Sequence, residues 1–191
     1  MRIGLFGGSF NPIHNAHIAL GTTMLSAMSL DEVWYMVSPQ NPLKNQTDLL
    51  DENIRLSLVS KALEDYPHLV PSDFEFSLQR PSYTWNTLLQ LHKVYPMHKF
   101  VLIIGGDNLA KFHKWAHYKD LLLNYEIAVY PREGSSLPEW VMTTPNISIV
   151  DVPLLNISST DIRNMIKKGE DITPFIPKKI VSEVENLYLL R

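Results

Sequence analysis

Two histidines spaced three residues apart follow a glycine-rich turn near the start of the chain. The segment is Gly-Gly-Ser-Phe-Asn-Pro-Ile-His-Asn-Ala-His, and it lies between an apolar run and a stretch with helical spacing. Glycines let the backbone approach a phosphate closely, and the N-terminal amides of a helix attract anions. Imidazoles three residues apart at a helix start point in similar directions. The pattern therefore predicts a phosphate-binding turn with the candidate residues Gly7, Gly8, Ser9, Phe10, His14 and His17.

This turn is not one of the common nucleotide-binding fingerprints. The third glycine of the Gly-x-Gly-x-x-Gly pattern is missing, and so is the Lys-Ser/Thr pair of a P-loop. An isolated His-x-x-His pair is more typical of two partly exposed polar residues in a first helical turn. The strand, the double glycine and the helix around His14 and His17 favour the phosphate site instead.

A second segment with phosphate-binding chemistry is Ile-Ser-Ser-Thr-Asp-Ile-Arg, near the other end of the chain. Ser158 and Asp161 have the spacing of a capping box, which by itself explains a hydroxyl there. The same helix start offers free amides and further hydroxyls, and Arg163 adds a two-pronged donor. We expect the segment to hold a polyphosphate as well as to start a helix. Its candidate residues are Ile157, Ser158, Ser159, Thr160 and Arg163.

Short apolar runs alternate with stretches of helical spacing along the chain. The runs rich in β-branched and aromatic residues are Ile3–Phe6, Val33–Val37, Phe100–Ile104, Ile127–Tyr130 and Ile147–Val152. Helical spacing is found over residues 18–28, 54–63 and 88–95, and a further edge or irregular strand is expected around Asp73–Ser77. The alternation predicts an α/β fold, a Rossmann-like doubly wound parallel sheet with helices on both faces. Ligands of such sheets bind at the carboxyl ends of the strands.

The last part of the chain has the pattern of two helices. The first opens near Ser158–Thr160 and the second near Pro177, whose ring suits a first helical position. Because no Gly/Ser linker separates these helices from the sheet, we expect one domain over residues 1–191. A small C-terminal helical appendage, about 157–191, packs within that domain.

Composition and charge exclude several classes of protein. The 191 residues include 17 Lys and Arg and 20 Asp and Glu, a formal net charge of −3, so no overall positive field attracts nucleic acid or anionic lipid. The absence of cysteine excludes disulfides, a thiolate nucleophile and cysteine metal ligands. No run of 18 apolar residues and no signal-peptide pattern occur, so we expect a cytoplasmic protein without membrane partners.

Two connections and one histidine pair stand outside the predicted elements. Residues 38–53 form a polar connection with two prolines, and we expect it to lie over the site. Residues 131–145 predict an irregular excursion between the last two strands. His113 and His117 have the spacing of a metal site on a helix, but no third ligand is evident, so we interpret them as surface residues.

The two phosphate-binding segments, taken in this order, resemble the nucleotidyltransferase superfamily of small adenylyl- and cytidylyltransferases. The matching motifs are Gly-Gly-Ser-Phe-x-Pro-x-His-x-x-His and Ile-Ser-Ser-Thr-x-Ile-Arg. The resemblance implies that His14 and His17 engage the phosphates of ATP, and that residues 158–163 hold the triphosphate from the other side. Ala16 stands where a glycine is usual between the histidines, which is a small-for-small change.

Segments in the middle of the chain resemble bacterial nicotinate-nucleotide adenylyltransferase. They are Pro39–Lys44, Arg80–Thr84, Ile104–Asp107 and Trp115. The resemblance implies that Gly105 and Asp107 contact ATP, that Asp107 holds sugar hydroxyls, and that Trp115 stacks on the pyridine ring. It assigns the mononucleotide to Ser9, Lys44, Ser82, Tyr83, Thr84, Asp107 and Trp115. The loop around Lys44 is slightly shorter than usual, and Trp85 is an alternative stacking ring.

Each middle segment also has an ordinary structural explanation. Ser82 or Thr84 could cap the helix that follows, Asp107 could cap another helix after a glycine turn, and Trp115 could belong to the core. The order of all these segments along one chain favours the functional interpretation.

The resemblance implies transfer of the adenylyl group of ATP to nicotinate mononucleotide, which yields nicotinate adenine dinucleotide and pyrophosphate. The acceptor phosphate is already an anion at neutral pH, so catalysis reduces to alignment and charge stabilisation. The catalytic residues are then His14, His17, Lys44 and Arg163. Mg²⁺ is expected on the substrate phosphates rather than on protein ligands. Backbone amides at Tyr83 and Thr84 favour the nicotinate carboxylate over an amide.

Two other functions stay open. Another adenylyl- or cytidylyltransferase of the superfamily, such as phosphopantetheine adenylyltransferase, shares both terminal motifs but not the middle segments. A nucleotide sensor would keep the fold without turnover, although binding alone does not require all of the candidate residues. The expected partners are small molecules rather than nucleic acid, and a homo-oligomer is left open.

Overall fold

A parallel sheet lies at the centre of the structure, a computed structural model that describes residues 1–39, 49–131, 138–152 and 156–189. The strands of these residues are β1 (Arg2–Gly8), β2 (Glu32–Val37), β3 (Leu69–Ser72), β4 (Lys99–Gly105), β5 (Glu126–Tyr130) and β6 (Ile147–Ile149). Their order in the sheet is β3-β2-β1-β4-β5-β6, and neighbouring strands are parallel throughout.

Helices connect the strands and continue after the last one. The α-helices are α1 (Asn15–Ala27), α2 (Glu52–Leu63), α3 (Thr84–Val94), α4 (Gly106–Leu109), α5 (Tyr118–Asn124), α6 (Ser159–Lys168) and α7 (Val181–Leu189). Short 3-10 helices lie at Phe74–Ser77, Phe112–Lys114, Glu139–Thr143 and Lys178–Ile180. None of the helices in the described ranges is long and apolar enough to cross a bilayer.

The strand order reverses beside β1. The chain moves from β1 outward through β2 to β3, and then returns to β4 on the other side of β1. Ligands of such sheets bind in the crevice at the carboxyl ends of the strands on either side of the reversal. Gly8 pairs with Val37 and Gly105 with Tyr130, so β1 and β4 both end in glycine at this edge. The crevice beside these two glycines is where a site is expected.

Side chains on the two faces of the sheet belong to two separate cores. In β1, Ile3 and Leu5 point to one face and Phe6 to the other, as the two-residue period of a strand requires. Helices α1, α2, α6 and α7 cover the Phe6 face, whereas α3 and α5 cover the Ile3 face. Burial on both faces explains the continuous apolar runs in the sequence. The predicted doubly wound sheet is confirmed.

The C-terminal helices pack against the residues that open α1. Ile162 of α6 and Val184 of α7 are fully buried in the core of the Phe6 face. Just before α7, the carbonyl of Phe175 accepts a hydrogen bond of 2.8 Å from the N–H of Asn15. The C-terminal segment therefore reaches the start of the helix that carries the second histidine of the turn.

One predicted strand is wrong. Sequence patterning places a strand at Asp73–Ser77, but the third strand is β3, and a 3-10 helix follows it at Phe74–Ser77. Phe74 packs against the core of the Ile3 face and Phe76 against the other core. Their two-residue spacing therefore imitates the alternation of a strand, although the backbone between the two cores is a tight turn.

Two boundaries also differ from the prediction. β6 ends at Ile149, three residues before the predicted end at Val152. Pro177 does not occupy a first α-helical position, because it precedes the 3-10 turn that leads into α7. Both differences lie at element ends, where sequence patterns carry the least information.

The two long connections are only partly described. In the connection 38–53, residues 40–48 lie outside the described residues. In the excursion 131–145, residues 132–137 lie outside them, and the part that follows contains a 3-10 helix. That the first connection covers the site therefore stays a prediction.

Candidate active site

The glycine turn leads directly from β1 towards α1, as predicted. A Cβ at Gly8 would come within 2.9–3.1 Å of the Phe10 ring, so a larger residue at this position would displace the ring. Phe10 has a positive φ of 45°, and only 3% of its surface is exposed. A bulky residue in the left-handed region is uncommon, and such residues cluster at functional sites. The turn buries this ring and leaves Gly7 exposed at the crevice.

The two histidines of the turn lie ring against ring. Their centroids are 3.6 Å apart and their planes are inclined by 27°, with His14 buried and His17 half-buried. The backbone N–H of His14 donates to Nδ1 of His17 at 3.2 Å. Because Nδ1 of His17 accepts this bond, the neutral ring carries its proton on Nε2, which can donate to a phosphate oxygen. The structure thus brings together the pair that the spacing predicted.

A buried tyrosine holds the backbone of His17. The hydroxyl of Tyr35, which is 0% exposed on β2, donates to the carbonyl oxygen of His17 at 2.8 Å. Burial raises the pKa of Tyr35, so this hydroxyl stays a donor. A Cβ at Gly21 would overlap it, which explains the glycine within α1. The rings of Phe6 and Phe10 pack against His17 at centroid distances of 6.0 and 5.1 Å, completing an aromatic support.

The start of α6 lies against the glycine turn. The Ser159 hydroxyl donates to the carbonyl of Pro12 at 2.8 Å, and Nη1 of Arg163 donates to the carbonyl of Asn11, also at 2.8 Å. Nη2 of Arg163 lies 3.2 Å from Oγ1 of Thr160. These contacts bring together the two segments predicted to bind phosphate. A guanidinium has five N–H groups, so Arg163 keeps donors for an anion.

The capping box predicted for α6 is present. The Ser158 N–H donates to Oδ2 of Asp161 at 2.9 Å, and the Asp161 N–H donates to Oγ of Ser158 at 3.2 Å. Hydrogen bonds from Ser158 lower the pKa of Asp161, so the capping carboxylate is ionised at neutral pH. Ile157 is half-buried and packs against the core. Ser158 therefore has a structural role whether or not it also meets a phosphate.

An open cavity lies at the carboxyl ends of β1 and β4, next to the glycine turn. It encloses about 540 Å³ including its open mouth. Of the residues predicted for the acceptor, Thr84 and Trp115 line it, together with the glycines Gly7 and Gly105. Largely apolar walls with a few polar groups are typical of a site for a planar ring. The cavity is therefore the candidate acceptor pocket.

Glu75 lines the same cavity and was missed by the sequence analysis. Its carboxylate accepts hydrogen bonds from the hydroxyls of Ser82 at 3.1 Å and Thr87 at 2.9 Å. Burial raises the pKa of Glu75, and these hydroxyls oppose the rise. In the sequence, Glu75 is an acidic residue between two phenylalanines. The strand predicted at 73–77 gave no reason to place it in a site.

The start of α3 differs from its simplest sequence explanation. Neither Ser82 nor Thr84 caps the helix: Tyr83 occupies the N-cap position and makes no side-chain capping bond. The Tyr83 side chain is exposed, and the Ser82 hydroxyl points to Glu75. Helix starts without a side-chain cap keep backbone N–H groups for a ligand.

Of the remaining predicted residues, Asp107 and Ser9 are described but are not among those that line the cavity. Asp107 is exposed in the first turn of α4 and does not cap it, since Gly105 is the N-cap residue. Ser9 is half-buried in the glycine turn. Lys44 lies outside the described residues. Their roles as substrate ligands stay predictions.

The two candidate stacking tryptophans lie in different places. Trp115 lines the cavity, whereas the ring of Trp85 stacks on His117 with centroids 5.3 Å apart.

Nδ1 of His117 lies 3.1 Å from a carboxylate oxygen of Asp120, and His113 is exposed. Within the described ranges, no group of three or more His, Cys, Asp or Glu residues could hold a metal ion.

Comparison with known proteins identifies the family. The model of the cytidylyltransferase-like family matches residues 5–165. A probable nicotinate-nucleotide adenylyltransferase of Cytophaga hutchinsonii is 47% identical over 191 residues, which cover 100% of this chain and 97% of the relative. The chain belongs to the nicotinate-nucleotide adenylyltransferase family. Another such probable enzyme, of Flavobacterium johnsoniae, is 46% identical over 188 residues, 97% of each chain.

A solved structure shows the same fold. It is the Plasmodium falciparum nicotinic acid mononucleotide adenylyltransferase complexed with NaAD, with a TM-score of 0.80 and 20% identity. The match covers 98% of this chain and 97% of the other. The resemblance noted from the two terminal motifs is confirmed by these findings.

Proposed function

We propose that this protein transfers the adenylyl group of ATP to nicotinate mononucleotide and releases pyrophosphate. The observation that carries the proposal is that two helix starts suited to phosphate, those of α1 and α6, meet beside a cavity lined by Trp115. Relatives at 46–47% identity bear the name of this activity. We place the reaction in the cytoplasm, as the sequence predicts.

The chemical step requires alignment rather than proton removal. An oxygen of the acceptor phosphate attacks the α-phosphorus of ATP, so one P–O bond forms. The bond from the α-phosphorus to the bridging oxygen breaks, and its electron pair leaves with pyrophosphate. A phosphate monoester is largely ionised near neutral pH and needs no general base. The protein must therefore stabilise charge on the transferring and leaving phosphates.

We assign the side-chain donors of the glycine turn, of the start of α6 and of Lys44 to this task. His14 and His17 serve the phosphates at the reacting centre, and Nε2 of His17 is the donor that the hydrogen bond at Nδ1 leaves on the other side of the ring. Thr160 and Arg163, at the start of α6, hold the outer phosphates. Lys44 serves the polyphosphate or the acceptor phosphate.

The side chains at the turn fit MgATP as the substrate. Imidazoles, hydroxyls and a guanidinium are poor ligands for Mg²⁺, which prefers oxygen anions. Phosphate oxygens of the triphosphate would hold the ion, where it reduces the charge on the leaving group. The chain's own residues then orient the MgATP complex.

The acceptor pocket contains features that favour two related acceptors. Backbone N–H groups at Tyr83 and Thr84, beside a helix start without a side-chain cap, favour the carboxylate of nicotinate. Glu75, in the wall of the same cavity, favours a neutral carboxamide, because its carboxylate can accept hydrogen bonds from the amide N–H groups. We propose the acid as the preferred acceptor, with nicotinamide mononucleotide as the second candidate.

The test is pyrophosphate release from MgATP with nicotinate mononucleotide, nicotinamide mononucleotide and phosphopantetheine in parallel. We expect release with the acid, and a much lower kcat/KM with the amide. Comparable kcat/KM for the two mononucleotides would contradict the acid preference but not the reaction. Release with phosphopantetheine alone would contradict the proposed acceptor. If no acceptor gives pyrophosphate release although MgATP binds, the result would favour a nucleotide sensor.

A further inference from the structure

Arg55, on α2, is the largest fully buried side chain, with 0% of its surface exposed. Its guanidinium donates to four backbone carbonyls. Nη1 donates to Ser9 at 2.7 Å and to Ser38 at 2.8 Å. Nε donates to Leu50 at 2.8 Å, and Nη2 donates to Pro39 at 3.2 Å. One side chain thus joins the glycine turn, the chain just after β2 and the residue that precedes the cap of α2.

A buried guanidinium normally needs a carboxylate partner. None of the ion pairs among the described residues includes Arg55, and the acidic residues whose charges act on it are Asp51 and Glu52 at the start of its own helix. Burying a charge is costly unless hydrogen bonds replace the lost water. Here four carbonyl dipoles do so, and they stabilise the positive charge of Arg55 next to the glycine turn.

The direction of these carbonyls bears on anion binding. In a trans peptide the C=O and the following N–H point in opposite directions, so the Ser9 carbonyl on Arg55 turns the Phe10 N–H away from the guanidinium. A carbonyl oxygen aimed at a phosphate would repel it, whereas an N–H attracts it. The carbonyls of Ser38 and Pro39 likewise accept hydrogen bonds from Arg55.

A second set of buried hydrogen bonds supports the same turn at Asn11. Oδ1 of Asn11 accepts hydrogen bonds from the Tyr188 hydroxyl at 2.6 Å and from the Leu50 N–H at 3.1 Å. The N–H of Leu50 therefore bonds the turn at Asn11, while its carbonyl bonds Arg55. The turn, the segment before α2 and the C-terminal helix α7 form one hydrogen-bonded unit below the candidate phosphate site.

We propose that Arg55 is a positioning residue of the phosphate-binding site. It holds the glycine turn in the conformation that presents N–H groups to phosphate, and it places a positive charge below the turn without touching substrate. This inference rests on the proposed function only in taking MgATP as the ligand. It does not depend on the acceptor.

The experiment measures the Kd of MgATP by calorimetry in the absence of any acceptor. The variants are Arg55→Lys, which keeps the charge but loses the planar fork, and Arg55→Met, which keeps an unbranched side chain but loses the charge and every donor. The matched control is Leu58→Ala, in the same helix and equally buried but without a bond to the turn. All proteins are compared at a temperature where circular dichroism shows them folded, and Arg55→Lys is the variant that keeps the test valid if Arg55→Met does not fold.

We expect both Arg55 variants to weaken MgATP binding by about 10- to 100-fold, since the loss of a hydrogen bond to a charged group has an effect of about that size. Arg55→Lys should bind more tightly than Arg55→Met because it keeps the charge. Leu58→Ala should lower the Tm and leave the Kd unchanged. If the Arg55 variants bind MgATP within twofold of the wild type, or if Leu58→Ala weakens binding as much, the role is merely structural and the proposal is overturned. Wild type that binds MgATP but transfers nothing to the mononucleotide would contradict the proposed function alone, and wild type that binds no MgATP would overturn both.

Discussion

The proposed phosphate half and the proposed acceptor half of the site are built in different ways. The phosphate half consists of two contiguous segments, residues 7–17 and 158–163, each of which places its polar groups at the start of a helix. The acceptor half is assembled from single residues of separate elements, among them Glu75, Thr84 and Trp115. The chemistry of the first half is therefore local, whereas that of the second depends on how distant elements pack.

The two halves also differ in how their polar groups are bonded. In the phosphate half, main-chain carbonyls of the turn are bonded to Arg163 and Ser159 from α6 and to Arg55 from α2. In the acceptor half, the polar groups bond mainly to each other, as in the pair of hydroxyls on Glu75. We infer that substitutions in the phosphate half affect MgATP binding and turnover, and that those in the acceptor half affect the choice and the affinity of the acceptor.

The largest expected effect is that of His17→Ala. Loss of the Nε2 donor should lower kcat by about 100- to 1,000-fold, as for other single donors to a transition-state charge. The Tm should change little, because the ring is half-buried. His113→Ala, an exposed histidine outside the cavity, is the control and should keep full turnover. Steady-state rates within a few-fold of wild type for His17→Ala would contradict the assigned role.

Trp115→Ala tests the acceptor half. Loss of a stacking ring is expected to raise the KM of the mononucleotide by about tenfold or more, since stacking on one base contributes about 1–3 kcal/mol. The KM of MgATP should stay unchanged. Trp85→Ala is the matched control because its ring stacks on His117 instead of lining the cavity. A larger effect on acceptor KM from Trp85 than from Trp115 would reverse the assignment.

Tyr35→Phe removes one hydroxyl below the phosphate half. The hydrogen bond to the His17 carbonyl is lost in a fully buried setting, with an expected loss of about 1 kcal/mol in the free energy of unfolding. We expect kcat to fall a few-fold while the acceptor KM stays constant. Steady-state kinetics with both substrates check this split. A change confined to the acceptor KM would mean that the two halves are not separate.

The smallest effect concerns Glu75→Gln and its dependence on pH. Burial raises the pKa of Glu75, so the folded protein keeps this proton to a higher pH than the unfolded chain does. The contribution of Glu75 to the free energy of unfolding is therefore fully present below the pKa of a glutamate in the unfolded chain. It is lost as the pH rises through the folded pKa. Thermal melts should show wild type losing stability relative to Glu75→Gln over that interval. Exposed Glu170→Gln is the control, and parallel profiles for wild type and Glu75→Gln would disprove the expectation.

Much of the fold could be predicted from patterns in the sequence. The buried strands β1, β2, β4 and β5 are continuous apolar runs, and the capping box of α6 is a local spacing of four residues. The strand predicted at 73–77 is wrong because Phe74 and Phe76 serve two different cores. Alternation reports which side chains are buried, and it cannot tell one sheet face from two cores on either side of a turn.

Sequence patterns could not predict the positions of Arg55 and Glu75, and the reason is physical. Arg55 lies in a helical stretch between Ile54 and Leu56, and for an arginine in a helix an exposed position is the ordinary expectation. Its burial depends on carbonyls that come from three separate segments of the chain. Glu75 likewise becomes a cavity residue only through the packing of α3 against the 3-10 turn that carries it.

The sequence by itself determined the alternation of strands and helices, the glycine turn before α1 and the start of α6. These depend on spacing within about ten residues, where covalent geometry fixes the direction of side chains. Only the tertiary structure decided that Ser159 and Arg163 meet the glycine turn, that Trp115 rather than Trp85 lines the cavity, and which buried groups hold the turn from below. Such contacts join segments far apart in the chain, and their partners are chosen by the packing of the whole core.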